Sequence, residues 1–432
     1  MYTMYVSNFM SKLKSSKLFK DSFWAVFGNG LGNGLMLVAG ILIARLLGKD
    51  VYGEYGLVKS TMFLVASFTT FGLGFSSTRY IALFKEETPE YLRSVIRDAV
   101  KITLLFSSTI AVLLFLLSPD LALYLEDEKL SVPLKYLAVI IVLRSLSMTL
   151  LGVLAGFKNF KKAAQNNLIS AFSLLILSIP LCYYWNLMGA LAALLISQMI
   201  NAILNVKIVY RAVLKLNNQI DRNFVKELIQ FSFPLALQEG SFSICNWAGV
   251  LFLTKYSSAG ELGLYTASLQ WNAIILMIPN LLFNVVLSHL SGIVNDEKKH
   301  DEKLKQLLLV NIICTAIPFI LVYIMAGYIS SFYGPTFKDM PAVLKIITFA
   351  TILESCSSVL KSDFLASGMN WQFFMLRLLR DSIQLCSVFY FLAIVQCPNG
   401  AIVFSWCYVG ASLVFLLSAA ICHKICRIKI RK

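Results

Sequence analysis

The side chains in this sequence most able to do chemistry are ionisable groups placed inside long apolar stretches. Glu354, Ser358 and Lys361 follow one another at i, i+4 and i+7, so they share one face of a helix. Arg377 and Arg380 stand one turn apart in the next apolar stretch. A charge at the centre of a bilayer costs at least ~2.5–3.5 kcal/mol, so such residues face a cavity or a partner. The pattern predicts a polar interior that can hold an anion.

A second polar stripe, formed by Glu239, Ser243 and Asn246, lies on one face of the seventh apolar stretch. Glu239 is the lone charge of that stretch and has no cation within one helical turn along the chain. Carboxyl groups inside membrane helices commonly exchange protons in transport proteins. We therefore take Glu239, and after it Glu354, as the candidate ion-coupling residues.

Further polar residues extend the predicted cavity, and each has a plainer structural role beside the functional one. The predicted cavity residues are Arg144, Gln198, Asn201, Asn246, Lys361, Arg377, Arg380 and Gln384. Amides inside membrane helices equally well bond across helix contacts, and this alternative applies to Gln198 and Asn201. The alternative for Arg377 and Arg380 is a pair of anchors that snorkel to the membrane surface.

Composition excludes several classes of protein. The 432 residues are 58% hydrophobic and 14% charged, with a mean hydropathy of +0.74. The chain is too apolar for a soluble globular protein, so we expect most of it to be embedded in lipid. The net charge of +15 comes from short basic clusters between apolar runs, so nucleic acid is not an expected partner.

The nine cysteines form no Cys-x-x-Cys pair, and we predict no metal site. Phosphate-loop, zinc-protease and nucleophile-elbow motifs do not occur, so we expect neither an enzyme nor a bound cofactor.

The apolar stretches predict an all-α integral membrane protein with about twelve transmembrane helices. The predicted spans are 22–44, 57–78, 100–118, 134–157, 163–184, 187–208, 228–254, 262–290, 306–330, 342–365, 372–396 and 400–423. Most of the 38 Lys and Arg residues lie in one alternate set of connecting segments, which the positive-inside rule assigns to the cytoplasm. Both termini are then predicted to be cytoplasmic, because the number of spans is even.

An internal repeat divides the spans into two groups of six. Three landmarks recur at nearly one offset: Gly53-Glu54-Tyr55 with Gly263-Leu264-Tyr265, Gly156 with Gly368, and Gly189-Ala190 with Gly400-Ala401. Because six is even, the two repeats run in parallel and are related by an axis along the membrane normal. The sequence thus predicts an N-terminal six-helix lobe over 1–210 and a C-terminal six-helix lobe over 211–432.

The link between the first two spans resembles a known family. The residues Ala44-Arg45-Leu46-Leu47-Gly48, Tyr52-Gly53, Tyr55, Phe71-Gly72-Leu73-Gly74 and Arg79-Tyr80 are similar to the first helical hairpin of Wzx-type polysaccharide flippases of the MOP exporter superfamily. The resemblance implies a MATE/MOP-like fold in the bacterial inner membrane. It also implies flipping of undecaprenyl-diphosphate-linked oligosaccharide repeat units across the lipid bilayer for O-antigen, lipopolysaccharide or capsule assembly. Polysaccharide polymerase and chain-length machinery would be further partners.

The sequence departs from these relatives in the seventh span. Relatives commonly carry an Asp-Arg pair just before an apolar triplet, whereas this chain has Ala248-Gly249-Val250. The departure removes a charge that relatives place in the cavity, so their ion-coupling scheme does not carry over directly.

Two other functions compete with the flippase. A MATE-like multidrug or cation antiporter would favour acidic cavity residues, and the interior ions of this chain are of both signs. A membrane glycosyltransferase or polymerase would carry a large external loop, and every predicted external loop here is short. The family resemblance favours the flippase, whose diphosphate substrate would need cations such as Arg144, Lys361, Arg377 and Arg380.

Overall fold

The computed structural model describes residues 17–124, 130–216, 220–280, 297–367 and 369–430. Within these residues the secondary structure consists of helices and turns, with no β-strand. The long helices are α1 (Lys17–Thr70), α2 (Leu73–Glu87), α3 (Leu92–Tyr124), α4 (Ser131–Gly156), α5 (Phe160–Val213), α6 (Val225–Tyr256), α7 (Ala259–Ile275), α8 (Glu297–Tyr333), α9 (Met340–Ala366), α10 (Asn370–Phe389) and α11 (Gly400–Ile430). A π-helical turn, Tyr390–Ile394, extends α10.

Two of these helices are each built from two helical segments joined at a sharp kink. Gly48 interrupts α1 with φ 74°, and Asn186 interrupts α5 with φ 44°. Positive φ values suit these residue types, because glycine has no Cβ and asparagine tolerates the left-handed region better than most side chains. Each kink falls between two predicted spans, so one long helix accommodates two of them.

Seven helical stretches of the described residues are long and apolar enough to cross a membrane. They are Gly30–Thr70, Pro89–Leu123, Ser131–Gly156, Phe160–Val213, Lys299–Tyr333, Met340–Phe364 and Gly400–His423. Helices suit this environment because they satisfy their backbone hydrogen bonds internally. α10 is outside this group, because Arg377, Arg380 and Asp381 lower its hydropathy. The number of twelve spans and the cytoplasmic location of both termini remain predictions.

The contacts divide the chain into two compact units. The N-terminal unit contains residues 1–39 and 61–240, and the C-terminal unit contains residues 40–60 and 241–432. The segment 40–60 therefore packs with residues that follow it by about two hundred positions in the chain. The predicted six-helix lobes, 1–210 and 211–432, rest on the sequence repeat and remain a prediction.

Hydroxyl pairs join the helices of the N-terminal unit. Thr69 and Ser145 share a hydrogen bond of 2.6 Å between α1 and α4, and Thr103 and Thr149 share one of 2.8 Å between α3 and α4. All four side chains are buried. Small hydroxyl residues let membrane helices approach closely and bond across the contact. These pairs explain the many Ser and Thr residues within the apolar stretches.

In the C-terminal unit, an aromatic cluster fixes the second half of α1. The Tyr52 hydroxyl accepts a hydrogen bond from the Gln270 side chain, and the Tyr52 ring meets Phe337 edge-on at 6.2 Å. Trp271 donates its indole N–H to the Tyr333 hydroxyl at 3.1 Å. Tyr52, Phe337 and Tyr333 are completely buried. Tyr52, one of the residues that carry the family resemblance, therefore packs in the interior of this unit.

The glycines that mark the sequence repeat touch each other. A Cβ atom on Gly53 would lie 1.7 Å from the Ala259 carbonyl oxygen, and one on Gly263 would lie 2.0 Å from the Lys49 carbonyl oxygen. Lys49 and Ala259 have the same spacing in the chain as Gly53 and Gly263. The two contacts are reciprocal, and both lie within the C-terminal unit. The sequence repeat remains a prediction.

We expect Gly53→Ala to destabilise the protein. The added methyl group would overlap a backbone carbonyl, and overpacking of this kind costs about 1–3 kcal/mol or more. Gly327→Ala on α8 is the matched control, because a Cβ there meets nothing within 4 Å. The control is expected to be neutral or to stabilise by up to ~1 kcal/mol. Thermal unfolding of both purified proteins in detergent checks this, and equal unfolding temperatures would contradict the close contact.

Candidate functional site

A cavity of about 380 Å³ lies in the C-terminal unit between α9, α10 and α11. Its described lining residues are Asn280, Ser357, Ser358, Lys361, Phe373, Arg377, Arg380 and Phe415. This lining supplies three cations, two hydroxyls and one amide, and it contains no carboxylate. The cavity is therefore suited to an anion that also carries hydroxyl groups.

Helical spacing brings the cations of the cavity together. Lys361 follows Ser357 and Ser358 by about one turn of α9, so these side chains lie on one face. Arg377 and Arg380 are one turn apart on α10 and face the same cavity. The structure thus brings together the three cations that the sequence stripes predicted, Lys361, Arg377 and Arg380.

Aromatic rings hold the two guanidinium groups. The guanidinium carbon of Arg377 lies 4.3 Å from the centroid of the Phe242 ring on α6. The corresponding carbon of Arg380 lies 5.9 Å from the ring centroids of both Phe242 and Phe415. Cation–π contacts stabilise a guanidinium group over a ring face while leaving its N–H groups able to donate.

An ion pair orients Arg380. Its Nε and Nη2 atoms donate to Oδ1 of Asp381 at 2.8 and 2.6 Å. The Asp381 and Arg380 side chains are only 4% and 12% exposed, so solvent screens the pair weakly. This contact fixes one edge of the guanidinium group and directs the remaining N–H groups elsewhere, including toward the cavity.

Glu354 belongs to the same network. Its carboxylate accepts a hydrogen bond from the Tyr408 hydroxyl and interacts electrostatically with Arg380. Tyr265 lies close enough to interact with it as well. The candidate ion-coupling carboxyl Glu354 is therefore partnered, and it lies close to the cavity cation Arg380.

The other residues predicted on α6 and α10 do not line this cavity. Asn246 and Gln384 are half-buried on their helices and are absent from the described lining. Glu239 is exposed on α6, and no described cation forms a salt bridge with it. The sequence had suggested a buried position for Glu239, because periodicity alone does not say which face of a helix is covered.

Arg144, in the N-terminal unit, lies against an aromatic ring. Its guanidinium carbon is 4.8 Å from the centroid of the Phe63 ring, and its buried Nε atom has no hydrogen-bond partner among the described residues. A buried N–H group without a partner carries a free-energy cost unless a ligand or water satisfies it. Arg144 remains a candidate for binding an anion, separate from the C-terminal cavity cations.

The amides predicted in the sixth span form a ladder between the two halves of α5. Asn201 donates to Asn167 at 3.1 Å and accepts from Asn205 at 2.7 Å. Asn205 in turn accepts from Asn166 at 2.8 Å. Gln198 is 7% exposed on the same helical segment. Because both ends of the Asn201 amide are engaged, the structure favours the helix-packing role for this residue.

The polar stripes in the sequence do not include several residues that line the cavity. Phe373 and Phe415 are apolar, so hydropathy gives no signal for them, and Asn280 lies outside the predicted polar stripes. Ser357 is adjacent to the predicted stripe residue Ser358 and faces the cavity beside it. The aromatic residues could be recognised only once the helices were placed.

The comparisons with known proteins agree on the fold. The family described as polysaccharide biosynthesis protein matches residues 18–293. A comparison with curated proteins gave no match. The structure is similar to an inward-facing multidrug resistance MATE family transporter of the MOP superfamily, with a TM-score of 0.78 and 14% identity over 92% of this chain and 94% of that one.

Two further solved structures are also similar. The lipid II flippase MurJ, in an inward closed conformation, has a TM-score of 0.74 and 15% identity over 93% of this chain and 87% of that one. A MOP superfamily transporter from Pyrococcus furiosus has a TM-score of 0.67 and 14% identity over 93% of this chain and 94% of that one. At these identities the likeness establishes a MATE/MurJ-like fold.

Proposed function

Because the chain belongs to the polysaccharide biosynthesis protein family, which matches its residues 18–293, we propose that it is a Wzx-type flippase of the bacterial inner membrane. In this proposal it moves undecaprenyl-diphosphate-linked oligosaccharide repeat units from the cytoplasmic to the outer leaflet for O-antigen or capsule assembly. The two lobes alternate access, and transport draws on an ion gradient without any cofactor. Polysaccharide polymerase and chain-length machinery receive the flipped product.

The observation that carries this proposal is the cavity lined by Lys361, Arg377 and Arg380. A diphosphate presents several anionic oxygens, and guanidinium groups bind such oxygens in pairs with charge-assisted hydrogen bonds. Serine hydroxyls and the Asn280 amide can bind sugar hydroxyls beside the diphosphate. The lipid chain can remain in the bilayer, because only the polar head needs a polar path.

The competing proposal is a MATE-like antiporter of cationic drugs, which is suggested by the similarity of the fold to that of a MATE transporter. The cavity argues against it, because the described lining has three cations and no carboxylate. A cationic drug would be repelled by such a lining.

Deleting the gene in its native host tests the proposal. We expect surface polysaccharide to disappear and lipid-linked repeat units to accumulate, while glycosyltransferase activity in isolated membranes stays unchanged. A plasmid copy should restore the polysaccharide. Normal polysaccharide together with increased sensitivity to cationic drugs would instead establish the antiporter, and lost glycosyltransferase activity would establish the enzyme.

A further inference from the structure

Two histidines enclose one aspartate in the C-terminal unit. His300 on α8 places Nε2 3.0 Å from Oδ1 of Asp363 on α9. His423 on α11 places Nε2 2.7 Å from the other carboxylate oxygen, Oδ2. The side chains of His300 and Asp363 are completely buried, and that of His423 is 13% exposed. Three helices distant in sequence therefore meet at a titratable cluster that the cation cavity does not include.

The two imidazoles are the ion-pair partners of the Asp363 carboxylate, whose oxygens accept no hydrogen bond among the described residues. If both imidazoles were neutral, the carboxylate would be a buried charge without compensation, which costs several kcal/mol. One proton on either histidine makes the cluster neutral overall. Histidine is also the side chain whose charge ordinarily changes between about pH 5 and pH 8. The cluster is thus built to hold one proton that it can release.

Charged residues adjoin the cluster on each of its three helices. On α8, Oδ1 of the exposed Asp301 lies 3.9 Å from Nδ1 of His300. In sequence, Lys299 also adjoins His300 on α8, Lys361 precedes Asp363 by two positions on α9, and Cys422 and Lys424 flank His423 on α11. The described residues form no group of three or more His, Cys, Asp or Glu side chains placed to hold a metal ion. The His423 side chain is partly exposed, whereas its Nε2 atom beside Asp363 is buried.

An apolar wall separates this cluster from the cation cavity. The Phe364 ring lies 6.4 Å from the His423 ring and 6.0 Å from the Phe373 ring, and Phe373 lies 5.8 Å from Phe415. Phe373 and Phe415 also line the cavity. Any shift of α9 or α11 at the histidine cluster therefore moves side chains that form the cavity wall.

We infer that His300, Asp363 and His423 form a proton-binding site whose occupancy is linked to anion binding in the cavity. Binding of the proton is a property of the chain itself, whereas the link to the cavity rests on the proposed function. The site adds a third candidate for ion coupling to Glu239 and Glu354. It differs from them because its proton is shared among three helices, so that gain or loss of the proton can change how those helices pack.

Histidine-selective isotope labelling tests the proton site directly, because the chain has only 3 histidines. The full-length protein is purified through a tag without histidine, and the labelled rings are followed by NMR while the pH is changed. We expect two rings to titrate together between about pH 5 and pH 8, and Asp363→Asn to abolish that shared titration. His289→Gln is the matched control and should remove the third signal alone. Two rings that never titrate in this range, or that titrate independently of Asp363, would overturn the site.

The same titration, repeated with undecaprenyl diphosphate, tests the link. Because linkage is reciprocal, a probe that binds the cavity must move the midpoint of the shared titration if the two sites are coupled. We expect a shift in the wild type and none in Lys361→Gln. Bound probe with an unmoved midpoint would overturn the link. Failure of the probe to bind at all would contradict the proposed function, and the proton site would still be decided by the first titration.

Discussion

The double variant Arg377→Gln/Arg380→Gln is expected to abolish surface polysaccharide. Because Arg380→Gln also leaves the buried Asp381 carboxylate without its ion-pair partner, the amount of the variant in the membrane is measured in parallel. Both guanidinium groups face the cavity, and glutamine keeps a polar side chain but removes the charge. A hydrogen bond to a charged group contributes about 1.5–3 kcal/mol. Two such losses weaken diphosphate binding by roughly 10²- to 10⁴-fold, because each 1.4 kcal/mol is about a factor of ten. Surface glycan and lipid-linked intermediates are measured in the gene-deleted host.

Two further variants separate charge from geometry in this experiment. Arg377→Lys/Arg380→Lys keeps both charges and loses the paired N–H geometry, so we expect partial export. Lys338→Gln removes an exposed cation elsewhere in the same unit and should leave export unchanged. If the double Gln variant exports as well as Lys338→Gln, the two arginines are anchors and the cavity is not the diphosphate site.

The variant Asp381→Asn is expected to lower the stability of the protein by about 3–5 kcal/mol. Its carboxylate is the described ion-pair partner of Arg380, and both side chains are nearly buried. Removing one partner leaves the other charge uncompensated in a poorly solvated place. The effect is measured as the thermal unfolding temperature and as the half-life of purified protein at a fixed temperature, since membrane proteins often unfold irreversibly.

An exposed ion pair provides the control for this prediction. Asp221 contacts Arg97 in the N-terminal unit, and the Asp221 side chain is 79% exposed. Asp221→Asn should cost no more than ~1 kcal/mol. Combining Asp381→Asn with Arg380→Gln should recover part of the lost stability, because both charges of the ion pair are then removed. Equal unfolding temperatures for Asp381→Asn and Asp221→Asn would show that Arg380 finds its compensation elsewhere.

Much of the architecture could be predicted from the sequence, because lipid imposes helices on long apolar runs. Most described portions of the predicted spans lie on helices, although Phe71 and Gly72 interrupt the predicted span 57–78. The stripes on α9 and α10 identified cations that line one cavity. The sequence alone marked Gly53 as a landmark, and the structure shows that the Ala259 carbonyl leaves no room there for a side chain.

The remainder depends on how helices are rotated against one another, which periodicity does not report. Glu239 looked like an enclosed carboxyl in the sequence, yet the structure places it at an exposed position. His300 and His423 follow no polar stripe in the sequence, and their meeting with Asp363 requires three helices to converge. The packing of residues 40–60 with the C-terminal unit is likewise a long-range contact that no local pattern encodes.

Transport by the purified protein in vesicles tests the central claim most directly. The full chain is reconstituted with an undecaprenyl-diphosphate-linked repeat unit from its host, and an external glycosidase reports how much glycan faces outward. A proton gradient of either sign is imposed across the vesicle membrane. The wild type is then expected to move glycan from the inner leaflet to the outer leaflet, where the glycosidase cleaves it. Arg377→Gln/Arg380→Gln is expected to leave the glycan in the inner leaflet protected. A wild-type protein that leaves the protected fraction unchanged, while it moves a cationic dye across the same vesicles, would contradict the flippase.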